Sequence, residues 1–284
     1  MANYRKILVA YDGSESSRKA LAVASQLAKE GKSWIKVLTV LPDYEGDLEL
    51  FGISNIKETI EGPGKKLLQE AQGIADREEV NILTNSAQGE PYEKIIHIAD
   101  DENCDLIVMG RKGINQLARE LMGSVTAKVI GHTTKNVLVV SEETRLAWGK
   151  ILVAVDNSGY SEAAASLAIE LAREHAAELI LVSAVYNVGE VFGLAPSVVK
   201  GLIDSTNANL AGIRRRAEEM GVELETVIEQ GEPFQVITTL AADREVDLII
   251  MGSHGRKGLG RLFVGSAAAR TIGYAPCPVL VTHE

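Results

Sequence analysis

Residues 88–110, QGEPYEKIIHIADDENCDLIVMG, and residues 230–252, QGEPFQVITTLAADREVDLIIMG, align without a gap and agree at 12 of 23 positions, at an offset of 142. The openings agree too. KILVAYDGSESSRKALAVASQLAKE (6–30) matches KILVAVDNSGYSEAAASLAIELARE (150–174) at an offset of 144. A period of this length is a whole domain, because each copy is long enough to bury its own core. The junction falls within SEETRLAWG, residues 141–149, and the reading assigns 1–144 to a first domain and 145–284 to a second.

Within each copy, short β-branched runs alternate with longer stretches of helical period, the signature of a parallel sheet with crossover helices. The first copy is read with strands at 6–11, 34–41, 81–87, 105–109 and 136–140. The second has them at 150–155, 178–185, 222–229, 247–251 and 277–281. LIVMG, LIIMG, VLVV and PVLV are apolar throughout, as strands covered on both faces must be. Ser17 and Ser161 are read as helix N-caps, followed by apolar stripes at Ala20, Ala24, Leu27 and Ala28 and at Ala164, Ala168, Leu171 and Ala172. Pro91 and Pro233 suit a first helical turn. The expected fold is α/β: two tandem doubly wound domains, each a five-stranded parallel sheet with helices on both faces.

The balance of 29 basic against 39 acidic residues, formally −10, argues against a binder of nucleic acid. A small anion stays possible, since a local cluster of donors holds it whatever the net charge. MANYRKILVAYDGS runs into a first strand and lacks the apolar region of a signal peptide, and no apolar run reaches the roughly 18 residues of a membrane span. A soluble, cytoplasmic protein with no membrane partner is the expectation. Cys104 and Cys277 have no zinc or disulfide spacing and read as buried thiols in a reducing compartment.

The duplication also filters the glycines. Where the first copy has MGRKGINQLARELMGS (109–124), the second has MGSHGRKGLGRLFVGS (251–266). Gly258 and Gly260 become Gln116 and Ala118 and drop out. Gly110, Gly113, Gly123 and Ser124 survive as Gly252, Gly255, Gly265 and Ser266. The first two glycines of each set end the fourth strand, where a positive φ or the close approach of a ligand is expected. The third opens a helix, so Gly123 to Val125 and Gly265 to Ala267 are expected to present free N–H groups at a positive helix end. Taken singly, these features are ordinary turn and capping chemistry. Together, twice, at one spacing, they describe a phosphate cradle to which Ser124 or Ser266 adds a hydroxyl.

The pattern is not Walker A, and no Rossmann GxGxxG follows the first strand. Asp12-Gly-Ser and Asp156-Asn-Ser stand there instead. An acid at that point of a doubly wound sheet flanks the crevice where strand order reverses. It is placed to accept a hydrogen bond from a ribose hydroxyl or a base amino group, or to hold Mg²⁺ through water.

These residues resemble the universal stress protein family in its tandem two-domain form, and the likeness covers both halves. Its most specific element is G-x2-G-x9-G-[ST], which in that family marks the ATP-binding branch. The resemblance implies the adenine nucleotide alpha hydrolase-like fold and ATP held with its phosphates on the Gly-Ser helix start. It implies nucleoside contacts from Asp12 or Asp156 and from the end of strand two, at Val40 and Ala184. Met109 and Met251, just before the glycines, complete the expected cofactor-binding set. The family commonly dimerises through its fifth strand, so Val137-Leu-Val-Val and Val279-Leu-Val imply a pseudo-dimer within one chain, with further oligomerisation open.

The copies also differ. Asn157 replaces the glycine of Asp-Gly-Ser, and Ser253-His254 replaces Arg111-Lys112, so unequal affinities are expected. Arg256, Lys257 and Arg261 in one loop and Arg119 in the other are either phosphate neighbours or solvated charges. Phe51-Gly-Ile and Phe192-Gly-Leu read as packing before they read as lids. His97, His132, His175 and His283 are scattered and read as structural or solvated. No catalytic residue or metal ligand recurs, since His254 faces Lys112 in the other copy. The function expected is a nucleotide-dependent stress-response or regulatory protein. The alternatives are a slow ATPase or phosphotransferase, and a partner-binding scaffold with empty sites.

Overall fold

The computed structural model describes residues 4–41, 43, 56–113, 122–185, 196–255 and 264–283. The chain forms two compact units, one chiefly from residues 3–143 and the other chiefly from 144–284. In the first, β1 (Lys6–Ala10), α1 (Glu15–Gly31), β2 (Trp34–Leu41), α2 (Ile56–Arg77), β3 (Ile82–Gln88), α3 (Pro91–Asp101), β4 (Leu106–Gly110), α4 (Ser124–His132) and β5 (Asn136–Val140) follow in order. The second repeats this as β6 (Lys150–Ala154), α5 (Gly159–His175), β7 (Glu178–Val185), α6 (Pro196–Asn209), α7 (Ala211–Glu219), β8 (Leu224–Gln230), α8 (Pro233–Asp243), β9 (Leu248–Gly252), α9 (Ser266–Tyr274) and β10 (Val279–Thr282).

The five strands of the first unit lie in the order β3-β2-β1-β4-β5, all parallel. Those of the second lie in the order β8-β7-β6-β9-β10, also parallel. Chain order therefore reverses between the first and fourth strands of each unit, as the sequence predicts. The apolar runs are buried because helices cover both faces. Ile7, Leu8, Val9, Leu106, Ile107 and Val108 are fully inaccessible, as are Ile151, Leu152, Ile249 and Ile250. Each such side chain contributes about 1.5–3 kcal/mol relative to exposure. The outer strands β3 (ILTNSAQ) and β8 (LETVIEQ) carry polar and charged residues, which suits an uncovered edge.

The helix starts differ from the sequence expectation by three residues. Ser14 and Ser158, not Ser17 and Ser161, are the N-caps, and their hydroxyls accept the N–H groups of Ser17 and Ser161 at 3.2 Å. Ser17 and Ser161 donate their own hydroxyls back to the cap carbonyls. The apolar stripe begins at Ala20, but the helix begins where the backbone first needs a side-chain acceptor, and that is earlier.

A charge pair joins the first helix of each unit to the crossover helices beside it. Arg18 on α1 pairs with Glu70 on α2, whereas Glu162 on α5 pairs with Arg216 on α7, with the signs exchanged. The Arg18 guanidinium, hydrogen-bonded to Glu70, holds that carboxyl below the ordinary carboxylate range, and Glu70 also accepts the Tyr11 hydroxyl at 2.8 Å.

Cys104 and Cys277 are free and only 3% and 8% exposed. Burial raises both thiols, that of Cys277 to about 12. At pH 8 neither thiol is expected to react with Ellman's reagent in the folded chain, and both react at once in denaturant. Among the described residues no helix is long and apolar enough to cross a membrane.

Candidate functional site

In the first unit, Ala10 is registered with Leu38 on one side and Met109 on the other. Asp12 and Val40, each two residues further on, and Gly110 to Gly113 therefore reach the same carboxyl edge of the sheet. In the second, Ala154 pairs with Val182 and Met251, which brings Asp156, Ala184 and Gly252 to Gly255 together. Met109 and Met251 are buried in their strands, while Val40 and Ala184 are half-buried. Each set lies at the switch point where doubly wound sheets bind ligands.

The aspartates are fixed by the residue two positions on. Asp12 Oδ1 accepts the Ser14 N–H at 3.0 Å and the Ser14 hydroxyl at 2.6 Å; Asp156 Oδ1 accepts those of Ser158 at 3.1 and 2.6 Å. One serine thus caps the helix and holds the acid. In the second copy Asn157 takes a φ of 63°, close to the left-handed turn that Gly13 makes at 79°, so the turn survives the loss of glycine.

The glycines serve different purposes. None of Gly110, Gly113, Gly252 and Gly255 has a positive φ, contrary to one of the two expectations for them. Gly110 and Gly252 are also not open to a ligand. A Cβ at Gly110 would lie 2.7 Å from Ser16 Cβ and 2.9 Å from the Ser16 carbonyl carbon, and one at Gly252 would lie 2.6 Å from Tyr160 Cβ. They let the first helix press on the end of the fourth strand. Gly113 and Gly255 make room for the acid, since a Cβ there would come 2.7 Å from Asp12 Oδ2 and 2.5 Å from Asp156 Oδ2.

The third glycine of each set is the N-cap of α4 or α9, at φ −61° and −56°, and neither helix has a side-chain cap. The expectation of free amides needs one correction: the Gly123 N–H donates to Arg111 O at 2.8 Å and the Gly265 N–H to Ser253 O at 2.9 Å. These bonds fasten the helix start to the glycine loop. Intrahelical bonding begins with Ala127 to Gly123 O and Ala269 to Gly265 O. The N–H groups of Ser124, Val125 and Thr126, and of Ser266, Ala267 and Ala268, therefore have no acceptor among the described residues. Ser124 and Ser266 are exposed, and Val125 and Ala267 half-buried. Three backbone donors and a positive dipole end meet the chemistry of an anion, and a half-buried carboxylate sits across the sheet edge from them. This donor set fits the phosphates of an anionic ligand at the helix start.

Sequence reasoning missed three features. Ser14 and Ser158 are legible as Asp-x-Ser in both copies, but the apolar stripe points to the serines three residues later. Thr126, whose hydroxyl ties α4 to Gly110 O at 3.0 Å, has alanine as its counterpart and so left no duplicated trace. Tyr160, beside His254 at 5.2 Å between ring centroids, is likewise confined to one copy. Of the other histidines, His97 meets Asp101 at 2.9 Å, His132 Nδ1 meets Lys128 O at 2.8 Å and His175 stacks on Trp148, while His283 directly follows β10. Phe51, Phe192, Arg119, Arg256, Lys257 and Arg261, with Gly258, Gly260, Gln116 and Ala118, lie outside the described residues.

Comparison with known proteins adds an independent finding. The sequence model of the Universal stress protein family matches residues 3–141 and again 147–283. Universal stress protein MJ0531 of Methanocaldococcus jannaschii is 36% identical over 140 residues, covering 48% of this chain and 82% of that protein. Universal stress protein Mb2028c of Mycobacterium bovis is 29% identical over 226 residues, covering 77% of this chain and 74% of the relative. Among solved structures, a universal stress protein from Archaeoglobus fulgidus superposes with a TM-score of 0.76 at 23% identity, covering 99% of this chain and 98% of the other, and so shares the fold.

Proposed function

The chain belongs to the universal stress protein family, and from that premise we propose that it is an ATP-binding tandem member acting as a nucleotide-dependent stress-response or regulatory protein. Its two domains are residues 1–144 and 145–284. The observation that carries this reading is the pair of helix starts, on α4 and α9, each with three backbone donors that have no acceptor among the described residues and each fastened to a glycine loop. In each crevice the loop and helix amides hold the phosphate chain. Gly113, Ser124 and Val125 serve the first, and Gly255, Ser266 and Ala267 the second, while Gly110 and Gly252 seat the first helix on the sheet and Gly123 and Gly265 fasten the helix start to the loop. Asp12 or Asp156 orients the ribose, and Val40 with Met109, or Ala184 with Met251, lines the nucleoside. Mg²⁺, where present, neutralises phosphate and reaches the acid through water.

Binding, not turnover, is the output of this arrangement. Among the described residues no general base recurs in both loops, since the position of His254 is Lys112 in the first copy. The same reading includes an intramolecular pairing of the two domains, supported by the apolar sequences of their fifth strands. ATP occupancy then biases domain pairing or partner recognition.

Mass spectrometry of the freshly purified, gently denatured chain is expected to release one ATP per crevice. Added ATP at about 100 times its Kd is expected to stabilise the chain by about 2.7 kcal/mol. ADP accumulating within minutes would instead favour the enzyme. No nucleotide and no stabilisation would favour the scaffold.

A further inference from the structure

The second crevice carries a buried cluster that the first lacks. Ser253 is fully buried and His254 is 9% exposed. The imidazole Nδ1 lies 3.1 Å from Ser253 Oγ, and its ring rests at 5.2 Å and 41° against Tyr160. Nε2 is buried and has no hydrogen-bond partner among the described residues. Their counterparts in the first copy are Arg111, Lys112 and Ser16, so all three members differ together. Leaving a ring nitrogen dry and unpaired is costly, and such a group in a folded protein calls for a missing partner.

Its surroundings say what kind. Ser253 O accepts the Gly265 N–H at the start of α9, and a Cβ at Gly265 would come within 3.4 Å of His254 Cα. Gly255, the next residue, packs on the Asp156 carboxylate. The imidazole thus hangs from the backbone that borders three amides without an acceptor among the described residues. A bound anion selects the tautomer in which the Ser253 hydroxyl donates to Nδ1 and the ring proton stands on Nε2, which makes that nitrogen a donor.

We propose that His254 is a ligand-recognition residue of the second crevice, its Nε2 hydrogen-bonding the phosphate chain of a bound nucleotide, so that the two crevices of one chain are chemically unequal. This rests on the nucleotide-binding reading above. It gives the second site a side-chain donor where the first has the half-buried loop residues Arg111 and Lys112.

The test uses the full chain carrying Gly123→Val, which confines binding to the second crevice, titrated calorimetrically with ATP and with adenosine. His254→Leu is expected to weaken ATP by about tenfold or more, the effect of one charge-assisted bond, and to leave adenosine unchanged. His254→Gln, whose amide restores a donor near the Nε2 position, is expected to recover most of the loss. The ligand-free melting temperature of the Leu variant is expected to fall only slightly, because the Nδ1 bond to Ser253 Oγ is lost while Nε2 has no partner to lose among the described residues. Equal ATP affinity in parent and Leu variant, or equal loss for ATP and adenosine, overturns the inference alone. A melting temperature that falls far, with no rescue of ATP binding by Gln, assigns the ring to packing and also overturns it. A Gly123→Val parent and an unmutated chain that both fail to bind ATP overturn the nucleotide reading and this inference together.

Discussion

Gly265→Val is expected to empty the second crevice and leave the first loaded, so that the ATP released per chain falls by half. The backbone at Gly265 already has φ −56° and ψ 141°, which valine tolerates, so the effect does not come from backbone strain. It comes from the loop. A Cβ there would lie 3.1 Å from Ser253 O and 3.4 Å from His254 Cα, and the valine methyls extend further. Relief requires the helix start to lift from the loop, which breaks the Gly265 N–H bond to Ser253 O and turns the three amides away from a common point. Losing two bonds to a charged phosphate at about 1.5 kcal/mol each weakens binding by more than about 100-fold. The cost to the fold is small, near the ~1 kcal/mol scale of helix-cap changes. Gly123→Val mirrors the effect in the other crevice, with a slightly looser fit at 3.3 Å from Arg111 O. Retention of full ATP stoichiometry in either variant removes that helix start from the site.

Gly252→Leu has a different outcome: it destabilises the second unit by about 3 kcal/mol or more. A Cβ at Gly252 would meet Tyr160 Cβ at 2.6 Å, its carbonyl carbon at 2.9 Å and its carbonyl oxygen at 3.0 Å. Two of these are backbone atoms of α5, so no rotamer change relieves the clash, and the helix must leave the sheet. Gly110→Leu has the same consequence in the first unit through Ser16 and Ser17. Gly201→Ala in α6 is the control: a Cβ there meets nothing within 4 Å, and a stabilisation of about 0.5–1 kcal/mol is expected. Urea unfolding followed by circular dichroism separates the three. Equal midpoints for Gly252→Leu and the unmutated chain would mean that α5 does not press on β9 as described.

This division of labour among the glycines marks how far the sequence could be read. Strand positions, the reversal of order between the first and fourth strands, and the meeting of Asp12 with Gly113 and of Asp156 with Gly255 follow from periodicity and from the duplication. Such features rest on patterns that a linear chain displays openly. The purpose of Gly110 and Gly252 does not, because a glycine that admits a helix and one that admits a ligand are the same letter. The donation by Gly123 and Gly265 to the loop was hidden for a related reason. It depends on where a carbonyl twelve residues away comes to lie, which no local propensity encodes. The early start of α1 and α5 shows local chemistry overruling pattern: Ser14 and Ser158 cap because an acid two residues before them fixes the turn.

The exchanged charges of Arg18–Glu70 and Glu162–Arg216 bear on how two such similar halves avoid entangling during synthesis. Were α5 to dock in the place of α1, Glu162 would confront Glu70; the reciprocal error would set Arg18 against Arg216. Each trespass replaces attraction with repulsion, whereas the correct arrangement satisfies both pairs. Duplicated sequence invites misassembly, and this inversion of sign gives each half a private password for its own first helix.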